Sequence, residues 1–189
     1  ALFILFWAVS AFGVKRDIRG GGFAGTLSRF FVVRLVALAV IVFLLTRVLG
    51  GTAHYSRSGA FIFTQGVFVP PLALDWLGAI LTALGVLFAI WARIHLGRNW
   101  SAAPSVKENH ELVTSGPYEY VRHPIYTGLI LAALGATLTG TFFGVVVLII
   151  ALAVFLLRIK KEEGIMLELF PDAYPAYQAR TKRLIPFVW

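Results

Sequence analysis

The stretch Leu112-Val-Thr-Ser-Gly-Pro-Tyr-Glu-Tyr-Val-Arg-His-Pro-Ile-Tyr-Thr-Gly128 decides how this chain is read. Its first half is polar and turn-forming through Ser115-Gly116-Pro117, and its second half opens a run with no charge from Ile125 to Leu157. As one helix that run would extend about 50 Å, well beyond the roughly 30 Å of a bilayer core, so it predicts a helical hairpin. The turn is expected near Leu138-Thr139-Gly140-Thr141, where glycine and threonine interrupt the aliphatic residues. A second polar cluster, Lys160-Lys161-Glu162-Glu163, follows the run. Both ends of a hairpin emerge on one side of a membrane, so the two clusters are expected at one face.

Composition supports the membrane assignment. The 189 residues are 59% hydrophobic and 14% charged, with a mean hydropathy of +0.83, well above ordinary globular domains. The absence of cysteine excludes disulfides, thiol nucleophiles and thiolate metal sites. A net charge of +8 would suit nucleic acid, but the basic residues lie between apolar segments and form no continuous tract, so no nucleic-acid partner is expected.

Phe30–Leu49 and Leu72–Leu96 are each long enough to span. Arg34, Arg47, Arg93 and His95 lie near their ends, where basic side chains are expected to snorkel to the headgroups. Ala1–Val14 is apolar but short and has no basic leader, which predicts a span lacking residues at its start. Five spans result: an all-α polytopic protein with a C-terminal hairpin and a C-terminal helix at the membrane surface. Lys and Arg outside the helices divide 13 against 1 between alternate loops, which predicts a cytoplasmic face for both polar clusters. The run Phe61–Val69 in the opposite loop is too short to cross. Residues 1–71 are expected to be N-terminal helices and loops, and 72–189 the functional core, in one integrated domain.

Pro124 suits the first position of a helix and His123 its cap, where unpaired N–H groups favour an anion and Arg122 adds to that preference. Tyr118, Tyr120 and Tyr126 are available as amphipathic walls. The same residues also suit a juxtamembrane anchor and an aromatic belt. Neighbouring helical positions diverge by about 100°, so at most one of Glu162 and Glu163 is expected to enter a shared pocket, where it would suit a cationic ligand. Tyr174, Tyr177 and Arg180 recur at intervals of three, which fits an interfacial helix as well as a lid over a site.

Gly116-Pro117-Tyr118, Arg122-His123-Pro124-x-Tyr126, the apolar run, Glu162-Glu163, and Phe170 with Tyr174-x-x-Tyr177-x-x-Arg180 together resemble the isoprenylcysteine carboxyl methyltransferase family. Leu96-Gly97-Arg98-Asn99-Trp100-Ser101 resembles the segment before that signature, and the likeness covers residues 72–189. It departs at Phe170-Pro171, where the family often has glycine after the phenylalanine; a changed entry angle of the next helix is expected. The chain is also compact beside eukaryotic members.

The resemblance implies S-adenosylmethionine as methyl donor, with S-adenosylhomocysteine as product, and no metal. It implies a cofactor pocket formed by Val113, Gly116, Pro117, Tyr118, Arg122, His123, Pro124, Tyr126, Glu162 and Glu163. Substrate contacts would come from Trp100, Tyr177, Arg180 and Arg183. Methyl transfer from a sulfonium is an in-line displacement that depends on alignment and electrostatics. An acceptor carboxylate needs no base, and Arg180 is the candidate to orient it through two parallel hydrogen bonds, with Arg183 in reserve. An amine or thiol acceptor would instead call for a base, and Glu163 or His123 would serve. The acceptor implied is an isoprenylcysteine-like carboxylate or another hydrophobic molecule entering from the bilayer. Phospholipid N-methyltransferases share the acidic pair and the donor, and the C-terminal part of sterol reductases, which use NADPH, shares the architecture.

Overall fold

The computed structural model describes Phe6, Val14 and residues 17–19, 71–100, 106–138 and 142–189. The proposed span Phe30–Leu49, most of the opening apolar stretch, the loop run Phe61–Val69, Ser101 and the turn residues 139–141 lie outside these residues. The described elements are a strand β1 (Asp17–Arg19), helix α1 (Leu72–Leu96), a 3-10 turn (Gly97–Asn99), strand β2 (Val106–Lys107), a second 3-10 turn (Gly116–Glu119), and helices α2 (Pro124–Leu138), α3 (Phe142–Leu169) and α4 (Ala173–Arg180).

Helix α1 inverts the pattern of a soluble helix. Its buried positions include Gly78, Gly85, Ala89 and Ala92, whereas Leu77, Ile80, Leu84, Leu87, Trp91 and Ile94 are exposed. With its 3-10 extension it runs 28 residues, and its most apolar 18-residue stretch has a mean hydropathy of 2.0, so it is long and apolar enough to cross a membrane. Small residues inward and large aliphatics outward suit a helix whose surroundings are lipid, because close backbone approach supplies the packing there. The partner of this small-residue stripe is α2. A Cβ on Gly128 would lie 2.6 Å from the Gly85 carbonyl and 2.7 Å from the Ala89 nitrogen, so only glycine permits this crossing. Thr82 Oγ1 donates to the Gly78 carbonyl at 2.8 Å and to the Ala132 carbonyl at 3.3 Å, binding the two helices together.

Helices α2 and α3 pack against each other, but among the described residues only α1 is long and apolar enough to cross a membrane, and α2 is a shorter apolar helix. Tyr126, in the first turn of α2, stacks on Phe155 of α3 with centroids 4.6 Å apart, and α2 ends four residues before α3 begins. Helix α3 does not stop where its apolar part ends: it continues through Lys160-Lys161-Glu162-Glu163 to Leu169, which gives both glutamates the rigidity of a helix. Pro171 lies in the turn between α3 and α4, where it interrupts no helix.

An all-helical chain was the expectation, and the described core is helical apart from two short pairings. Strands β1 and β2 pair antiparallel, with Asp17 opposite Lys107. After α4 the chain runs beside the signature segment: Val121 and Lys182 form a parallel bridge, and the His123 amide donates to the Arg183 carbonyl at 3.1 Å. Thr127 Oγ1 donates to the Leu184 carbonyl at 2.7 Å. These bonds satisfy the backbone around the start of α2, where proline has no N–H and helical partners are missing.

Arg93 corrects the expectation that it snorkels outward. It is 3% exposed, its Nη1 donates to the Gly97 carbonyl at 2.9 Å, and its guanidinium stacks 4.4 Å from the centre of the Trp100 ring. An aromatic face and a helix-end carbonyl draw the charge inward.

Candidate active site

His123 caps α2, with its carbonyl accepting from the Thr127 amide at 3.0 Å. Its ring stacks almost parallel to Tyr126, at 5.7 Å between centroids and 8° between planes. One face of the site is thus a column of His123, Tyr126 and Phe155. The last turns of α3 supply the opposing charge. Nδ1 of His123 lies 3.6 Å from Glu162 Oε2, and Nε2 lies 3.5 Å from Glu163 Oε1. The latter is a charge contact without hydrogen-bond geometry, since Nε2 is buried and donates to nothing. Burial alone would favour the neutral ring, but the two carboxylates outweigh it and raise the His123 pKa above its usual value.

The two glutamates have different surroundings. Glu162 accepts from the Tyr126 hydroxyl at 2.6 Å and from Arg158 Nη2 at 3.3 Å, and it lines a cavity. Glu163 turns to the arginines: Arg122 Nε donates to it at 2.8 Å and Arg183 Nε at 3.1 Å. Burial opposes its charge, but His123 and Arg122 prevail and hold its carboxyl at about 2. Glu163 is a latch. Through it, α3 grips both the signature segment and the C-terminal segment that follows α4.

Arg122 is equally committed. Its Nη1 donates to the Thr181 carbonyl at 2.6 Å and to the Gln178 carbonyl at 3.3 Å, so its guanidinium fastens the end of α4 over the site. Although Arg122 borders the cavity, the protein itself occupies these donors.

The cavity holds about 870 Å³ of empty space, counting its open mouth. Tyr118, Tyr126, Tyr174 and Tyr177 form aromatic walls, His123 and Glu162 a charged end, and Leu96, Trp100, Val113, Ile125 and Met166 apolar surface. Both tail tyrosines are 3% exposed and line the cavity, so one face of α4 packs over it. The Tyr177 hydroxyl donates to the Tyr118 carbonyl at 2.6 Å. Burial pushes the Tyr177 hydroxyl up to about 12, and burial with the nearby Glu163 charge also raises Tyr174. Both remain neutral hydroxyls at ordinary pH.

Of the residues singled out in the sequence, Val113, Tyr118, Arg122, His123, Tyr126, Glu162, Trp100 and Tyr177 border this cavity. Gly116, Pro117, Pro124 and Glu163 support it without bordering it. Gly116 has a φ of +59°, and a Cβ there would lie 2.7 Å from the His95 ring, so the close approach its turn permits is to a histidine. Pro117 and Pro124 are fully buried. Arg180 is exposed at the end of α4, 5.9 Å from the Tyr177 ring centre, outside the cavity lining. Arg183 stays half-exposed on Glu163, and Tyr120 faces outward.

Sequence reasoning missed Arg158, Asn99, His110 and Glu111. Arg158 was legible as the partner four residues before Glu162 on one helix face. Asn99 stood inside a quoted segment but had no assigned role. His110 and Glu111, which line the cavity, carry no local signal.

A family model described as isoprenylcysteine carboxyl methyltransferase matches residues 77–168, which include most of α1, the signature segment, α2 and Glu162-Glu163. Over these residues the chain is similar to the isoprenylcysteine carboxyl methyltransferase family. Over 109 residues, 56% of the chain, it is 35% identical to protein-S-isoprenylcysteine O-methyltransferase of Schizosaccharomyces pombe, of which the match covers 46%. Protein-S-isoprenylcysteine O-methyltransferase B of Arabidopsis thaliana is 26% identical over 195 residues, 99% of this chain and 91% of that one. The solved structure of the eukaryotic intramembrane Ras methyltransferase ICMT superposes with a TM-score of 0.58 at 22% identity, over 83% of this chain and 52% of that chain. The likeness establishes a shared fold. The chain spans about half the length of the fission-yeast relative and of the solved structure.

Proposed function

We propose that this protein is an S-adenosylmethionine-dependent methyltransferase that esterifies the carboxylate of a hydrophobic, isoprenylcysteine-like acceptor at the cytoplasmic face of a membrane. One observation carries the proposal: Glu162, His123 and four tyrosines converge on one cavity from α2, α3, α4 and the segment between α1 and α2. The residues fit the donor. The Glu162 carboxylate suits an ammonium group, the adjacent Arg158 and His123 suit a carboxylate, and tyrosine faces attract a sulfonium. When bound, S-adenosylmethionine supplies an electrophilic methyl group. The chain's part is to hold the donor's polar end, to exclude water with α4, and to orient the acceptor.

Arg180 is the proposed acceptor contact, because it is exposed beside the Tyr177 wall, whereas Arg183 already donates to Glu163 through Nε and lies within 3.1 Å of it through Nη2. The wider architecture belongs to the same proposal: five spans, with residues 72–189 as the core and its basic loops facing the cytoplasm. An acceptor with a lipid tail would enter laterally along the exposed aliphatic face of α1.

The test is methyl transfer from radiolabelled donor to a prenylcysteine analogue by the detergent-solubilised protein. Base-labile label marks an ester and supports the proposal. Base-stable label on a lipid amine identifies an N-methyltransferase, and stabilisation by NADPH instead of S-adenosylhomocysteine identifies a reductase.

A further inference from the structure

The cavity wall remote in sequence from His123 and Glu162 carries Asn99, which closes the 3-10 turn after α1 and is 8% exposed. Its Nδ2 donates to Glu111 Oε2 at 3.3 Å. An ionised carboxylate only accepts, so this bond decides which way the amide faces: nitrogen toward Glu111, oxygen away from it. Oδ1 is buried and has no hydrogen-bond partner. Buried acceptors are rarely left unpaired, and Asn99 borders the cavity. Around it, Leu96, Trp100 and Val113 pack against Ala92, Tyr118 and Ile125 in one apolar cluster, with the indole backed by the Arg93 guanidinium. Apolar, aromatic walls beside one oriented acceptor suit a planar ring that carries an N–H donor.

We propose that Asn99 recognises the 6-amino group of the donor's adenine, and that Glu111 is the positioning residue that keeps the amide oxygen turned to the ligand. This rests on the S-adenosylmethionine reading above. A 6-oxo purine would set one acceptor against another at Oδ1, so the site discriminates between the two bases at this atom.

The experiment compares binding of S-adenosylhomocysteine and S-inosylhomocysteine to the full chain in detergent by titration calorimetry. Wild type is expected to favour the adenosyl ligand about tenfold or more. Asn99→Leu is expected to abolish most of that preference by weakening the adenosyl ligand alone. Glu111→Gln, at an exposed position, is expected to reduce it in part, because a glutamine can donate as well as accept and no longer dictates the amide's orientation. A ratio of two affinities does not move with a merely structural loss, and the Glu111 variant reads the same ratio if Asn99→Leu does not fold. Equal wild-type affinity for the two ligands, or a preference retained in both variants, overturns the role of Asn99 while the donor reading stands. Binding of neither ligand to wild type overturns both.

Discussion

The Tyr126 hydroxyl donates to Glu162 over 2.6 Å and accepts from Arg158 Nε at 3.2 Å, so one phenol joins the first turn of α2 to the far end of α3. The two helices are thereby tied at the point where the cavity begins. Tyr126→Phe keeps the stack on Phe155 but removes both bonds. The expected result is a stability loss of about 1–2 kcal/mol in thermal denaturation, with weaker S-adenosylhomocysteine binding because Glu162 is no longer held in place.

The adjacent glutamates should separate in a binding assay. Glu162→Gln is expected to weaken S-adenosylhomocysteine at least about tenfold, since Glu162 borders the cavity, and to cost less stability than Glu163→Gln, because the glutamine oxygen can still accept from Tyr126. Glu163→Gln is expected to cost about 2–3 kcal/mol of stability, because Arg122 and Arg183 lose a charged acceptor. Equal effects of the two variants on both readouts would contradict the division.

Acid should release the latch. The Glu163 carboxyl lies at about 2 in the folded protein against an ordinary 4.5. A lowered value contributes stability that is fully present above the ordinary pKa and is lost as pH falls through the folded one. The raised His123 value works in the other sense: its contribution is full below the ordinary 6.5 and is lost as pH rises through its higher folded value. Melting temperature against pH should therefore decline between about 4.5 and 2, and Glu163→Gln should flatten that decline.

Helix contact between α1 and α2 depends on bare backbone. Gly128→Val is expected to destabilise the protein by about 1–3 kcal/mol or to prevent its purification, because the added atoms meet the Gly85 carbonyl and Ala89. Substituting Leu87 by alanine on the exposed face of α1 should cost less than about 0.5 kcal/mol in the same denaturation assay.

Arg180→Ala should lower methyl transfer about tenfold or more at unchanged S-adenosylhomocysteine affinity and unchanged melting temperature, as suits an exposed residue that meets the acceptor alone. Lost donor binding in this variant would assign Arg180 to the cofactor instead.

Apolar run length was enough to specify α1, because the span of a helix is set by residue count and bilayer thickness, and the order of the polar clusters was enough to expect the two to converge. The spacing of Tyr174 and Tyr177 likewise placed both on one helical face. It could not say which face meets the cavity, since helix rotation depends on what the helix packs against.

The sequence by itself determined the apolar helical character of the chain, the span α1 and the residue types gathered at the site. Tertiary structure alone decided that Glu162 borders the cavity while Glu163 latches Arg122 and Arg183, and that Arg93 turns inward to Trp100. It alone oriented Asn99 against Glu111. The reason is physical: a charged or amide group takes its role from the partners within about 3–4 Å of it, and here those partners come from segments distant in the chain.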